Sequence, residues 1–387
     1  MKILYVLRSF AMMAGTERVM ASKICWLATH GYDVMMVTYE QGNHPPAFPL
    51  PGNVKCQDLD VRFFKLQQLP LLRRYFAYRR MKSLFRERLQ EVVSNFRPDF
   101  ICTTAYSLKI ADDVVAVKGN ARLILEAHDT CDSLFKEYDY RSSLFMRHVA
   151  RVYDLQYNRI INRFHYLVTL TEGDAALWRR RVKTPVVVIP NPVPVSPCIL
   201  EQPVVNRPLR IIAVGRLEPV KGFDILVRSF ARVAGEFPQW QLAIFGQGSQ
   251  QSSLHQLVHG LGMNSRITIY KPTSDIWREY QQSDIYVLTS LREAFGMVLI
   301  EAMSYGLPCI AFDSPFGPAE IITDGVNGRL VPVGNESALT DSLRWLMTHD
   351  DERLRMGRQA RESIRRFEID AVMKRWQELF VTGETSA

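Results

Sequence analysis

The stretch "DIYVLTSLREAFGMVLIEAMSYGLPCIAF", residues 284–312, carries the clearest record of how this chain is built. It opens on an apolar run, 284–289, and crosses a polar loop. A helical pattern starts near Gly296 or Met297 and runs to about 305. A second apolar run, 308–312, closes it. Strand, helix and strand at this spacing suit a parallel sheet, and short, fully apolar strands suit one covered by helices on both faces. The stretch also raises a chemical question. Glu293 stands just before the helix and Glu301 inside it, among Met, Val, Leu, Ile and Ala. An unpaired buried carboxylate is expensive, so each needs a basic partner or a polar ligand.

The same alternation extends in both directions. Toward the N-terminus lie "LRIIAV" (209–214), a helix over about 222–235, "WQLAIF" (240–245), a helix over 250–260, "RITIY" (266–270) and a helix near 274–281. Toward the C-terminus come "GRLVPV" (328–333) and helices from about 336 to 381. The first half repeats the pattern. "KILYVL" (2–7) precedes a loop with Gly15, a helix from about Thr16 to His30 stopping at Gly31, and "DVMMVTY" (33–39). Further strand candidates are "DFICTT" (99–104), "RLILEA" (122–127), "HYLVTL" (165–170) and "VVVIP" (186–190), and Thr171 with Asp174 reads as a helix start. Between the halves, "NPVPVSPCILEQPVVNRP" (191–208) holds five prolines and continues neither a helix nor a central strand. The reading is two α/β domains, 1–190 and 209–387, joined by a linker at 191–208, with a cleft between them and the final helices free to pack back on the first domain.

Composition narrows the function classes. The 387 residues suit two domains, and 47% apolar content is ordinary for a globular protein. No run reaches the ~18 apolar residues a spanning helix needs. "MKILYVLRSF" lacks a signal peptide's cleavage region and reads as a first strand. Six scattered cysteines without a Cys-x-x-Cys pair point to a reducing compartment rather than a disulfide framework or structural zinc. The net charge of +8 is uneven: residues 1–200 hold 28 Lys/Arg against 18 Asp/Glu, and the remainder 20 against 22. A basic first half suits an anionic partner.

"VGRLEPVKGFD" (214–224) follows the first strand of the second domain, at the strand end that lines the ligand crevice in open parallel sheets. Arg216 and Lys221 there suit a diphosphate, Arg as a fork and Lys as a point charge; a solvated basic turn is the plainer alternative. After strand 284–289, the free N–H groups of the helix start at Gly296, Met297 and Val298 attract anions, and Gly296 permits close approach. Glu301 sits roughly 6–8 Å further along the axis than the helix start. Carboxylates accept several hydrogen bonds, so Glu293 and Glu301 flanking a phosphate site suit hydroxyls at both ends of a ligand. Two structural ion pairs remain the alternative.

"EAFGMVLIE" resembles the E-x7-E signature of the family 4 retaining glycosyltransferases, which have the GT-B fold: two Rossmann-like parallel-sheet domains facing each other across a cleft. "VGRLEPVKGFD" is similar to that family's donor-phosphate turn, "GQGSQ" (246–250) to its second glycine turn, and "EAMSYGLPCIAFDSPFGPAEIITDGVNGRLVP" (301–332) to its usual continuation. "AGTERVM" (14–20) resembles its glycine loop, with Ala14-Gly15 where the family often has a glycine pair, and "EAHD" (126–129) the segment bearing its active-site histidine. The resemblance implies a metal-independent hexosyltransferase without cofactor. It would move a hexose or N-acetylhexosamine from a nucleotide-diphosphate donor, UDP-sugar first, to a lipid-linked or saccharide acceptor held by the first domain. Arg216 and Lys221 would neutralise the leaving diphosphate, Glu301 would hold the ribose, and Glu293 the transferred sugar, with Gly246 and the backbone of 296–298 nearby. Gly15 would let its loop close on the phosphates, and His128 would face the sugar. The implied setting is surface-polysaccharide or lipopolysaccharide assembly on the cytoplasmic side, peripheral to the inner face of the plasma membrane. A nucleotide-sugar epimerase and a non-catalytic sugar-nucleotide binder are the rival readings.

Other signals carry less. "DLD" (58–60) matches a metal-binding Asp-x-Asp, but so short a pattern is common by chance. His255 and His259 in "HQLVH" lie one helical turn apart without the Glu or third ligand of a metal site. "LPLLRRYFAYRRMKSLFRERL" (69–89) mixes Leu, Tyr and Phe with seven Lys/Arg. It suits a helix lying on an anionic membrane or, alternatively, one packed on the first domain. No nucleic-acid-binding motif is present, and nucleic acid is not an expected partner.

Overall fold

The apolar runs of the sequence become the strands of two all-parallel sheets in the computed structural model, which describes residues 1–12, 14–136, 144–193 and 207–383. The chain divides into two compact units, Met1–Pro192 with Val372–Ala387, and Val193–Ala371. Most of the proline-rich segment, 194–206, lies outside the described residues.

In chain order the first unit contains β1 (Lys2–Leu7), α1 (Gly15–Thr29), β2 (Asp33–Thr38), β3 (Lys55–Asp58), α2 (Leu71–Phe96), β4 (Phe100–Thr104) and α3 (Leu108–Val117). β5 (Arg122–Glu126), α4 (Cys131–Lys136), α5 (Leu144–Ile161), β6 (Tyr166–Thr169), α6 (Glu172–Arg181) and β7 (Val186–Val188) follow. The strand order is β3-β2-β1-β4-β5-β6-β7. The order reverses beside β1, so the carboxyl ends of β1 and β4 flank a switch point, where such sheets bind ligands. Val6, Val37, Leu125, Phe85 and Trp178 are among the residues that build the core. Thr171 caps α6 by accepting the Asp174 N–H, as its sequence signature predicts.

The second unit contains β8 (Leu209–Val214), α7 (Phe223–Ala234), β9 (Trp240–Phe245), α8 (Gln251–Gly260), β10 (Ile267–Tyr270), α9 (Ile276–Gln281) and β11 (Ile285–Leu288). α10 (Met297–Ser304), β12 (Cys309–Phe312), α11 (Pro318–Ile321), β13 (Gly328–Val331), α12 (Glu336–Thr348) and α13 (Asp350–Ser363) follow. The strand order is β10-β9-β8-β11-β12-β13, with the switch between β8 and β11. Ile211, Phe230, Ile244, Val287 and Ile310 are among its core residues.

Two features depart from the sequence reading, and a third, the last helix returning to the first unit, follows it. β3, "KCQD", is a largely exposed edge strand with no apolar run to announce it. α2 does not present one amphipathic face along 69–89. From Phe85 and Leu89 onward its apolar side chains enter the core, while Leu69, Leu72, Tyr75 and Phe76 at its start stay exposed. The last helix, α14 (Ile369–Thr382), belongs from Val372 onward to the first unit. There Phe380 packs on Phe100 at 4.9 Å between ring centroids, and Gln377 donates to the Tyr32 hydroxyl at 3.3 Å.

Candidate functional site

In the second unit, the turn after β8 is fixed by its neighbours before any ligand is considered. Gly222 is left-handed (φ 60°), and its Cα lies so near the Thr289 carbonyl that a Cβ would collide with it. The Thr289 hydroxyl donates to the Lys221 carbonyl at 2.9 Å, and the Leu291 N–H to the Val220 carbonyl at 2.8 Å. These contacts clamp the 219–222 turn to the carboxyl end of β11. On the other side, Glu218 accepts from the Ser249 hydroxyl at 2.6 Å and the Ser249 N–H at 3.1 Å, tying the turn to "GQGSQ". Those hydrogen bonds draw its carboxyl below the usual range. Gly246 leaves β9 against the Gly215 carbonyl, in space that a side chain would need.

The clamp delivers Lys221 to Glu293. Lys221 Nζ donates to Glu293 Oε2 at 2.7 Å, with both side chains mostly buried. The question raised by Glu293 thus has an internal answer, and the ion-pair reading holds for this carboxylate. The pair does not exhaust the lysine: an ammonium has three donors, and one goes to Glu293. Arg216, on the same turn, is exposed.

α10 begins immediately after Glu293. Gly296 is its N-cap at φ 102°, a conformation other residues rarely adopt, and no side-chain oxygen caps the helix. The N–H groups of its first turn therefore point past the helix end, with the positive end of the helix dipole behind them. Glu301 is 8% exposed and accepts a hydrogen bond from the Tyr280 hydroxyl at 3.3 Å. Tyr280 is itself held between Tyr286 and Tyr305. Arg216, Lys221, Glu293, the 296–298 backbone and Glu301 all come from segments that follow β8 or β11, at the switch point of the sheet. Two groups that the sequence did not single out join them. Ser290 and Ser314, just past β11 and β12, carry buried hydroxyls with no hydrogen-bond partner among the described residues. A serine gives no positional signal until the strand ends are known.

In the first unit, Gly15 opens α1 just beyond β1. A Cβ there would meet nothing within 4 Å, so internal packing does not explain the glycine. His128 follows β5, its side chain 3% exposed, with Nε2 3.2 Å from Glu126 Oε2. The same carboxylate oxygen accepts from Lys23 Nζ at 2.6 Å. Burial opposes ionisation of Glu126, but Lys23 and His128 beside it prevail and hold its carboxyl down at about 2. Lys23 and Glu126 were not assigned roles from sequence, because 103 positions separate them and each alone looks like an ordinary surface charge.

The weaker motifs resolve as structure. Asp58 accepts from the Thr38 hydroxyl and from the N–H groups of Gln41 and Gly42, and pairs with Arg62 at 2.9 Å. Asp60 pairs with the same arginine. His255 and His259 are exposed on α8. Among the described residues no helix is long and apolar enough to cross a membrane.

A clamped cation, an uncapped helix start and two carboxylates gathered at one sheet switch point can bind a diphosphate and, beside it, hydroxyl-bearing groups. The comparisons with known proteins identify the family. Residues 14–192 match the model described as "Glycosyl transferase 4-like domain", and residues 201–363 match "Glycosyl transferases group 1". An "Uncharacterized glycosyltransferase" of Haemophilus influenzae is 25% identical over 379 residues, spanning 97% of this chain and 99% of the relative. The "Amylovoran biosynthesis glycosyltransferase AmsD" of Erwinia amylovora is 25% identical over 396 residues, spanning 98% and 99%. Among solved structures, HepE of Anabaena in complex with UDP and glucose superposes with a TM-score of 0.72 at 20% identity, covering 99% of this chain and 100% of its own. The chain belongs to the GT-B glycosyltransferases of the family 4 type.

Proposed function

We propose that the protein transfers a hexose or N-acetylhexosamine from a UDP-sugar to a lipid-linked or saccharide acceptor during surface-polysaccharide assembly, with retention at the anomeric carbon. The observation that carries the reading is Lys221. It is fixed by the Thr289 clamp, bonded to Glu293, and placed in the same strand-end cluster as the uncapped start of α10. Breaking the bond between sugar and phosphate places negative charge on the departing diphosphate. Lys221, Arg216 and the N–H groups of residues 296–298 stabilise that charge most where it is greatest, in the transition state. Glu293 accepts hydroxyls of the transferred sugar and keeps Lys221 aimed. Glu301 accepts the ribose hydroxyls. Gly15 and His128 take the phosphates and the sugar as their ligands. In this scheme the cations do the work of charge neutralisation and no metal is required. The amylovoran relative supports the polysaccharide setting, and the UDP complex of HepE supports the choice of nucleotide.

A panel of nucleotide sugars, followed by thermal shift with and without EDTA, tests the donor assignment. Selective stabilisation by UDP-sugars that survives chelation is the expected result. Loss of binding with EDTA would overturn the metal-free scheme, and preference for GDP-sugars the nucleotide. Donor incubated without acceptor should keep its sugar configuration, whereas an isomerised sugar would establish an epimerase instead.

The acceptor setting has its own structural support. Leu69, Leu72, Tyr75 and Phe76 are exposed around the first turns of α2, and Arg73, Arg79 and Arg80 are exposed on the same stretch. At 1.5 Å per residue, Arg79 and Arg80 lie roughly 5–12 Å along the axis from Leu72, Tyr75 and Phe76. An apolar tip followed by cations suits shallow insertion among acyl chains with guanidinium groups at anionic headgroups. In this reading the tip of α2, rather than its length, meets the anionic membrane surface on the cytoplasmic face. Vesicles containing anionic phospholipid should sediment the protein, and Leu72→Ser/Phe76→Ser should weaken this at least about tenfold while donor binding stays intact. Equal sedimentation of the variant would refute the contact.

A further inference from the structure

The buried Lys23 is a charge that the reaction above does not use. It is 2% exposed, donates to Glu126 Oε2 at 2.6 Å, and lies 3.6 Å from the Trp376 ring centroid and 5.8 Å from that of Tyr5. A buried ion pair is a poor way to gain stability, because desolvation consumes most of the attraction and apolar residues of similar volume do as well. This one has a third member. Glu126 Oε2 also faces His128 Nε2 at 3.2 Å, while Glu126 Oε1 and His128 Nδ1 are buried with no hydrogen-bond partner among the described residues. Lys23, Glu126, His128, Asn191 and Trp376 line a cavity of about 10 Å³.

For a neutral imidazole the hydrogen bonding has one consistent assignment. An ammonium only donates, so Lys23 engages Glu126 Oε2 as an acceptor. An ionised carboxylate has no proton to give, so the histidine nitrogen facing it must carry the hydrogen. Nε2–H is then the donor, and in the neutral ring Nδ1 is left as an acceptor. The groups around this carboxylate come from each packed element: Lys23 from α1, Tyr5 from β1, Cys102 from β4, His128 after β5 and Trp376 from α14.

We propose that Glu126, anchored by Lys23 beneath Trp376, is a positioning residue that fixes the tautomer and orientation of His128, with the proton on Nε2 and Nδ1 left as an acceptor. This rests on the sugar-facing reading of His128 given above and adds the device that makes it work. It also gives the last helix a part in the chemistry: Trp376 closes over Lys23, so an unseated α14 would loosen the whole chain of contacts.

The test uses the full-length chain. Long-range ¹⁵N correlation spectra of the imidazole rings at pH 8.5, with His128 identified through His128→Gln, report which nitrogen bears the proton. The wild type is expected to show Nε2–H at His128. Glu126→Gln places an amide that both donates and accepts at position 126, and is expected to populate the Nδ1–H form. With UDP-glucose as the probe donor, UDP release should fall about 10- to 100-fold in kcat, with KM changed less than about threefold. Lys23→Met/Glu126→Gln leaves no buried charge unpaired. It is expected to melt like wild type and to reproduce both defects, which separates positioning from folding. An unchanged tautomer in Glu126→Gln, or an altered tautomer with unchanged kcat, overturns the proposal. If the wild type does not consume UDP-glucose, the donor assignment is what fails, and the spectra still decide whether Glu126 sets the tautomer.

Discussion

At the residue scale, the two units share a device: a lysine fixed by a carboxylate to which the proposed reading gives a second task. Lys221 bonds Glu293 at 2.7 Å, and Lys23 bonds Glu126 at 2.6 Å. The difference is burial. The Lys221 pair is 17–18% exposed, open to a ligand in the proposed scheme, while the Lys23 pair is 2–3% exposed. Lys221→Ala should lower kcat/KM for sugar transfer about 100- to 1,000-fold, measured by UDP release with acceptor present, because a preorganised charge on the leaving group is lost. The buried pair shows itself through pH instead. Glu126 ordinarily titrates at 4.5 and is held at about 2 in the fold. A depressed carboxyl contributes stability that is fully present above its unfolded value and fades as pH falls through the folded one. The contribution is about 3 kcal/mol, disappearing between roughly pH 5 and pH 2. Urea melts should show wild type losing about that much more than Lys23→Met/Glu126→Gln over this range, and parallel losses would refute it. The Lys221 cluster was legible in sequence because its members share short stretches. The Lys23 pair was not, since only the sheet brings residues 23 and 126 together.

At the element scale, the start of α10 is the feature on which the proposed donor binding turns. Gly296 at φ 102° sets the direction of the first turn, and a Cβ there would lie 3.1 Å from the Leu299 side chain. Gly296→Ala should therefore cost about 1–2 kcal/mol of stability and weaken UDP binding at least about tenfold, read by thermal melt and calorimetry. A variant that loses stability but keeps UDP affinity would separate the glycine from the ligand. Sequence located this helix within a residue because a strand, a glycine and an apolar helix follow in order. It did not locate β3, whose "KCQD" has no apolar alternation. It left α2 open between a membrane surface and the first domain, because composition shows basic and apolar residues together but not that the apolar ones divide between an exposed tip and a buried remainder.

At the scale of the whole molecule, the chain ends where it began: α14 returns to the first unit and contributes Met373, Trp376, Leu379 and Phe380, all nearly fully buried. Burial of these side chains is worth several kcal/mol at ~25 cal/mol per Å² of apolar surface. A chain truncated after residue 371 should melt in two steps, with the first unit destabilised and the second close to wild type. A single transition at the wild-type temperature would contradict this role for the helix. The alternation of strands and helices predicted the two parallel sheets and left the final helices free to pack back on the first domain; that α14 is the helix that does so depends on tertiary packing, which periodicity does not record. The central claim, that Lys221 and Arg216 in the second unit grip a diphosphate beside the start of α10, is tested most directly by calorimetric titration of UDP into wild type, Lys221→Ala and Arg216→Ala in EDTA. Wild type should bind, and each variant should lose about tenfold or more in affinity while melting normally. Equal affinity in all three proteins would contradict the account.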